Sequence, residues 1–323
     1  MNYQYSVIVP FVRHLVSTAD LTEIGARIAE RDPTLHWCMV ELKRHASLNQ
    51  RRLPRLPSVM IQFHGYGALD RVFPDFTGPQ LRASATHKAK QLRMLESAGV
   101  PVPPWTRLER KTELAPDVFG EHVMIKSTER GASFGRGIVL IRTADFPAFR
   151  DEHARKYDEF ERSAPLVQQF INTGENAGHY RIVTFMGRVV HSRFQINTAK
   201  TPFNAPSTRM ILDEKIASNT GERECWLEKD EIVNNLAREV AKVFSTPVLA
   251  IDIIKSNETG ELYVLEANAG DCWMFSSAPG DWVREKFGDE AVYGQYDVYS
   301  VVADAIIKEA RAQLSLEPLA ASA

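Results

Sequence analysis

The segment VLAIDIIKSNETGELYVLEANAG, residues 248–270, places two acidic side chains inside otherwise apolar runs. Asp252 interrupts the first run and Glu266 interrupts the second. A carboxylate among strand residues is costly to bury unless it is paired or binds a metal. Asn268 adds an amide oxygen, and oxygen ligands of this kind suit Mg²⁺, which normally also holds waters and substrate phosphates. The segment therefore predicts a Mg²⁺ site, with Mn²⁺ as an alternative ion.

This metal site requires a particular strand register. A five-residue connection over 256–260 would place Asp252 opposite Val264 and make Glu266 its diagonal neighbour on the same face. An even-length turn would instead put Glu266 on the opposite face. A simpler interpretation is that both acids face solvent on an edge hairpin.

A second segment, VMIKSTERGASFGRGIVL, residues 123–140, resembles a phosphate-binding loop in composition. Lys126 ends a predicted strand, and the following loop contains Gly131, Gly135 and Gly137. Glycines let backbone N–H groups approach phosphate oxygens, and a lysine adds a point charge. The spacing does not match the Walker A motif, and an ordinary hairpin gives the same pattern.

The composition is that of a globular protein with a sizeable core. The chain has 323 residues, 44% hydrophobic and 25% charged, with a net charge of −2, which argues against coating nucleic acid. No apolar run is long enough for a transmembrane helix, and the N-terminus does not resemble a signal peptide. Three scattered cysteines form neither a disulfide framework nor a zinc pattern, so we expect a cytoplasmic protein without membrane or nucleic-acid partners.

Alternating strand and helix patterns predict an α/β protein. A small βαβ-type unit occupies residues 1–85 and lacks a GxGxxG turn, so dinucleotide binding is not expected there. The predicted strands are 6–12, 37–42, 59–63, 123–126, 138–141, 166–171, 180–185, 189–194, 248–255 and 261–267, and the predicted helices are 20–31, 87–98, 228–244 and 297–314.

The order of these features resembles the ATP-grasp superfamily, particularly its carboxylate–amine ligase branch. The resemblance covers residues 86–270: a lysine helix before GVPVP, Lys126 with its glycine loop, QQFI, an arginine hairpin, and Asp252 followed by Glu266 and Asn268. It implies an N-terminal unit over 1–85, a central lobe over 86–166, a C-terminal lobe over 167–316 and a disordered tail over 317–323. ATP is expected to bind between the central and C-terminal lobes.

The resemblance also implies roles for individual residues. Lys88 and Lys126 match the nucleotide-binding lysines, and the glycines of 131–137 match the flap over the phosphates. Arg181 and Arg193 resemble the catalytic basic residues near the transferred phosphoryl group, while Asp252, Glu266 and Asn268 match the metal ligands. The segment that reads adenine in the family corresponds to Gln168, Gln169, Phe170 and Ile171. Glu175 is the residue that could replace the missing ribose contact.

Several positions leave alternatives open. Lys90 could serve in place of Lys88, and His179 replaces the acid commonly found two residues before the arginine. Cys272, just after the metal segment, is more readily explained as a buried or site-wall residue than as a nucleophile.

The implied reaction is ATP-dependent activation of a carboxylate as an acyl phosphate, followed by attack of an amine. The carboxylate and the amine are expected to be small molecules, and a homodimer is left open. Two alternatives remain: a phosphotransferase that releases a phosphorylated product, and a nucleotide-binding protein without turnover.

Overall fold

The computed structural model describes residues 2–42, 53–65, 69–84, 86–126, 138–156, 165–200, 210–211, 222–270 and 281–317. Gly131, Gly135, Gly137 and Cys272 lie outside these residues, as do 318–323 of the predicted tail. No helix in the described ranges is both long and apolar enough to cross a bilayer.

The N-terminal part of the chain forms a parallel four-stranded sheet in the order β2-β1-β3-β4. Ser17 caps the first helix by accepting a hydrogen bond from the Asp20 amide, and Leu21, Ile24 and Ile28 form its buried face. The elements are β1 (Tyr5–Phe11), α1 (Thr18–Arg31), β2 (Leu35–Glu41), β3 (Ser58–Ile61), α2 (Leu69–Val72) and β4 (Gln80–Leu81).

A second, antiparallel sheet follows, with the order β11-β7-β6-β8-β5. Its core is separate and contains Val123, Ile125, Ile141 and Phe146. The elements of this part are α3 (Lys88–Ser97), β5 (Trp105–Arg107), α4 (Pro116–Phe119), β6 (His122–Lys126), β7 (Val139–Arg142), α5 (Phe146–Lys156), β8 (Leu166–Gln169) and β11 (Met210–Ile211).

The third sheet is also antiparallel, with the order β12-β10-β9-β13-β14. Its first hairpin turns at Met186 and Gly187, both of which have positive φ. The elements are β9 (Asn176–Phe185), β10 (Arg188–Lys200), β12 (Arg223–Leu227), α6 (Glu231–Val243), β13 (Val248–Lys255), β14 (Leu262–Ala269), α7 (Asp281–Phe287), α8 (Asp289–Gly294) and α9 (Val298–Gln313).

The predicted register of the last hairpin is wrong. Lys255 pairs with Leu262, so six residues connect β13 and β14 rather than five. Such an even connection would by itself send Glu266 to the other face. A β-bulge at Leu265 shifts the ladder by one residue, however, and Asp252 lies directly opposite Glu266 instead of Val264. The two acids consequently share one face of the sheet, as the metal hypothesis requires.

The first and third sheets share a hydrophobic core. Val7 and Val9 of β1 belong to the same buried cluster as Val183 of β9 and Ile306 of α9. Polar contacts reinforce this association, because Arg311 of α9 donates to Asp32 at 2.9 Å. The opposite face of the third sheet packs with α6 and α3 in a different cluster.

Candidate active site

A row of four charged residues crosses the third sheet on one face. Strand pairing puts Arg193 opposite Arg181, Arg181 opposite Asp252, and Asp252 opposite Glu266. Side chains at directly paired positions of an antiparallel sheet emerge on the same side and lie close enough to interact. Four strands therefore present two arginines and two acids side by side.

Asp252 forms a buried ion pair with Arg181. The Arg181 Nη1 atom lies 3.1 Å from both carboxylate oxygens, and both residues are only 7% exposed. Asp252 is thus held in place by Arg181 on one side of the row while facing Glu266 on the other.

Glu266 is surrounded by cationic and amide groups. The Lys88 Nζ atom lies 3.3 Å from its Oε2, and the Asn268 side-chain nitrogen donates to its Oε1 at 3.0 Å. Burial raises the pKa of the carboxyl group, but Lys88, Asn268 and Lys126 outweigh that effect and lower the pKa to about 2. Glu266 is therefore ionised across the whole neutral range.

The donor set fits a hard divalent cation. Two carboxylates face each other, and Asn268 is on the same strand face as Glu266, which gives oxygen ligands of the type that Mg²⁺ prefers. Within the described ranges, no cluster of three or more histidine, cysteine, aspartate or glutamate side chains could hold a metal.

Lys126 lies in the second sheet and is coupled electrostatically to this row. Its Nζ donates to Gln168 Oε1 at 2.6 Å across β6 and β8. Burial and the charge of Lys88 lower its pKa to about 8, while Glu266 and Asp252 act in the opposite direction. The Gln168 amide nitrogen is buried and has no hydrogen-bond partner among the described residues. A buried donor without an acceptor next to a lysine is suited to an anionic ligand.

The two candidate lysines of α3 occupy different surroundings. Lys88, the first residue of the helix, forms the ion pair with Glu266. Lys90 instead borders a shallow pocket with Arg93, Met94 and Val243 of α6. The structure brings Lys88, and not Lys90, to the acidic pair.

The other predicted nucleotide contacts lie along the end of β8. Gln168 and Gln169 are in the strand, whereas Phe170 and Ile171 follow it, so the predicted strand over 166–171 is two residues too long. The amides of Gln169 and Phe170 donate to the carbonyls of Pro104 and His122. Glu175 is exposed immediately before β9.

Four residues that the sequence interpretation did not assign join the arginine end of the row. Arg193 Nε donates to Gln195 Oε1 at 2.9 Å, and burial with Arg181 and Arg223 lowers the Arg193 pKa to about 9. Burial, together with the charges of Arg181 and Arg193, lowers the pKa of His179 to about 3, so this ring is neutral. His179 and Gln195 are paired across β9 and β10, and each lies two positions from Arg181 or Arg193. Because alternate residues of a strand share a face, this spacing in the sequence could have predicted that both lie beside the arginines. The others, Arg223 and Trp282, come from distant segments.

Comparison with known proteins gives structural matches alone. No protein-family model and no curated protein sequence matches the chain. A solved structure of the ATP-grasp ligase PsnB, complexed with a phosphomimetic variant of its minimal precursor, Mg and ADP, is 14% identical, covers 95% of this chain and 99% of its own, and has a TM-score of 0.55.

Two further structures are similar over nearly the whole chain. A RimK domain ATP-grasp protein from Sphaerobacter thermophilus DSM 20745 is 16% identical, with 92% and 98% of the two chains covered and a TM-score of 0.52. D-alanine–D-alanine ligase from Bacillus anthracis is 15% identical, with 95% and 96% covered and a TM-score of 0.50. These likenesses establish the fold of the chain as α/β of the ATP-grasp type.

Proposed function

We propose that this chain, which has the ATP-grasp fold, is an ATP-dependent ligase that activates a carboxylate and joins it to an amine. One observation carries the proposal: Asp252 and Glu266 face each other on adjacent strands, with Lys88 3.3 Å from Glu266 and Arg181 3.1 Å from Asp252. The PsnB structure that resembles the chain is a complex with Mg and ADP.

The charge arrangement supports binding of a nucleotide together with a cation. Two carboxylates directly opposite each other repel, so the row requires compensating positive charge. Lys88 and Arg181 supply it in the structure described here. When ATP is bound, Mg²⁺ would neutralise charge between its phosphates and the carboxylates of Asp252 and Glu266, with the Asn268 oxygen as a third protein ligand. The lysines would then be available to contact the phosphates.

The remaining residues have distinct tasks in this proposal. Lys126 and Lys88 hold the phosphates, and Gln168 orients Lys126 through its 2.6 Å hydrogen bond. Arg181 and Arg193 stabilise negative charge that develops on the transferred phosphoryl group, because both guanidiniums are largely shielded from water. Gly131, Gly135 and Gly137 remain proposed phosphate contacts, and Gln169, Phe170, Ile171 and Glu175 remain proposed contacts of the adenosine part.

The chemistry explains why such a site is useful. A substrate carboxylate oxygen attacks the γ-phosphorus of ATP, ADP leaves, and the resulting acyl phosphate has a good leaving group. The amine nitrogen then attacks the carbonyl carbon, phosphate leaves, and the nitrogen loses a proton. The protein contributes mainly positioning and charge neutralisation.

The test is a screen for ADP and phosphate release from Mg·ATP with amino acids, dipeptides and small carboxylates, alone and in pairs. We expect phosphate release to require both a carboxylate and an amine, with an amide product detected by mass spectrometry. A stable phosphorylated product without any amine would instead identify a phosphotransferase. Tight ATP binding without ADP release under every combination would identify a nucleotide-binding protein and contradict the ligase proposal.

A further inference from the structure

The Trp282 ring is contacted by two arginine side chains at the end of the charged row. The guanidinium carbon of Arg193 is 5.0 Å from the centre of the indole ring, and that of Arg223 is 4.0 Å from the same centre. Arg193 comes from β10, Arg223 from β12 and Trp282 from α7. Three separate elements therefore converge on one spot adjacent to the proposed phosphoryl-transfer residues.

Arg223 differs from the other cations of the site in its partners. Among the residues that the structure describes, Arg181 has Asp252 and Lys88 has Glu266, whereas Arg223 forms no ion pair and contacts the Trp282 ring. It is half-buried, and burial lowers its pKa. Arginine stacked on an aromatic ring keeps the N–H groups at the edge of its guanidinium plane available for hydrogen bonding. A guanidinium in this orientation, with no acidic partner among the described residues, is suited to bind an anion.

We propose that Arg223, supported by Trp282, binds a carboxylate of the substrate that does not itself react. This inference rests on the proposed ligase function and narrows its substrate class to small molecules with a carboxylate in addition to the reacting group. A planar carboxylate can accept two parallel hydrogen bonds from the guanidinium edge. The carboxylate belongs either to the acid, which is then a dicarboxylate, or to the amine, which is then an amino acid.

The geometry sets the size of this substrate. Arg193, assigned to the phosphoryl group, and Arg223 lie on the same indole ring, so the reacting group and the additional carboxylate are separated by a short distance. A compact amino acid or a short-chain dicarboxylate meets this requirement, whereas a long-chain monocarboxylate leaves Arg223 without a ligand.

The experiment measures equilibrium binding by titration calorimetry on the full chain with Mg²⁺ and a non-hydrolysable ATP analogue. The probes are succinate, glutarate and the common α-amino acids, each compared with the analogue in which one carboxylate is converted to a primary amide. Arg223→Met removes the charge, and Arg223→Lys keeps the charge without the planar fork. Arg188→Met is the matched control, because Arg188 is an exposed arginine on β10 outside the site.

We expect Arg223→Met to weaken binding of the preferred probe by about 10- to 100-fold, which is the effect of losing a hydrogen bond to a charged group. Arg223→Lys is expected to retain part of the affinity, and Arg188→Met all of it. Amidation of the probe should weaken binding to the wild-type protein by a similar factor and have little further effect on Arg223→Met. If amidation weakens the binding of a dicarboxylate, the carboxylate belongs to the acid substrate. If it weakens the binding of an amino acid, the carboxylate belongs to the amine substrate.

Other results overturn the inference. Unchanged affinity in Arg223→Met, or amides that bind the wild-type protein as well as their acids, would show that Arg223 has only a packing role. The outcome is separable from the ligase proposal. Binding that depends on Arg223 without ADP release for any probe contradicts the ligase and keeps the subsite, whereas ADP release unaffected by Arg223→Met contradicts the subsite and keeps the ligase.

Discussion

Asp252 lies directly opposite Glu266, and this pairing exists because a bulge at Leu265 compensates for an even-length connection between their strands. Lys255 pairs with Leu262 near the turn, and a regular ladder from that point would place Leu265 opposite Asp252. Bulges that redirect a side chain are common beside functional sites. The local irregularity is therefore what puts both carboxylates on the face that also carries Arg181.

The acidic pair gives the first prediction, since its two members differ in burial. Glu266→Gln is expected to reduce ATP turnover by on the order of 100-fold or more and to destabilise the fold less than Asp252→Asn does, because its side chain is 30% exposed whereas that of Asp252 is 10% exposed. Asp252→Asn is expected to lose turnover and also to destabilise the fold by up to about 3 to 5 kcal/mol, because the buried ion pair between Asp252 and Arg181 is broken.

Steady-state ADP release and thermal unfolding measure these two effects. Glu258→Gln, at an exposed position in the connection between the same strands, serves as the control and should behave as the wild-type protein. Wild-type turnover in folded Glu266→Gln would remove the metal assignment.

The lysines of α3 give a second prediction. Lys88→Met is expected to raise the KM for ATP about tenfold or more, because it removes a charge from the acidic pair and from the proposed phosphate site. Lys90→Met should leave KM within about twofold, since Lys90 lies beside Met94 and Val243. Initial-rate kinetics on both variants provide the comparison, and equal effects would contradict the assignment of Lys88.

Lys126 gives a prediction on pH dependence. Its pKa is lowered to about 8 by burial and by Lys88, so the group is charged below pH 8 and loses its proton above it. Phosphate binding needs the charged form, and the KM for ATP should therefore be constant below pH 7 and rise by up to about tenfold per pH unit above 8. Lys126→Arg, which stays charged, should abolish the rise, whereas a flat wild-type profile between pH 7 and 9.5 would rule out this role.

Gly270 provides a prediction on how the N-terminal unit contacts the site. Its φ is +69°, and a Cβ there would come within 2.8 Å of both the Gly65 amide nitrogen and Ala83. Gly260 has a similar φ of +75° but open space around it. Gly260→Ala should consequently show only the backbone cost of roughly 1 kcal/mol, and Gly270→Ala that cost plus a displaced loop.

Thermal unfolding and the KM for ATP distinguish the two glycine variants. We expect a lower midpoint for Gly270→Ala than for Gly260→Ala, together with altered kinetics in Gly270→Ala alone. Equal midpoints would mean that the loop around Gly65 adapts without cost.

Much of the site follows from residue types along the chain, because the acids at 252 and 266 stand out against apolar strands and Lys126 ends one. The register did not follow, since a bulge is selected by packing of the whole sheet rather than by the local sequence. The contact between Arg223 and Trp282 was not predicted for another reason. It joins β12 to α7, which are far apart along the chain, and such a contact leaves no periodic pattern in the sequence.

The same contrast holds for the secondary structure. Amphipathic helices such as α1 and α9, and the long strands β1 and β13, were predicted to within two residues at each end. The helix α5 was not predicted, because its sequence FPAFRDEHARK offers few apolar residues at helical spacing. Two- and three-residue strands such as β4 and β5 were not predicted either, since they form only through pairing with a neighbour.

The core shared by the first and third sheets has a consequence for the proposed nucleotide binding. Val9, Val183 and Ile306 belong to one buried cluster, so the first and third sheets are packed together through a common core. The second sheet has its own small core around Ile125 and Phe146. Under the proposed function, the binding of ATP and the release of ADP are therefore expected to move the second sheet, which carries Lys126, relative to the unit that carries the acidic pair.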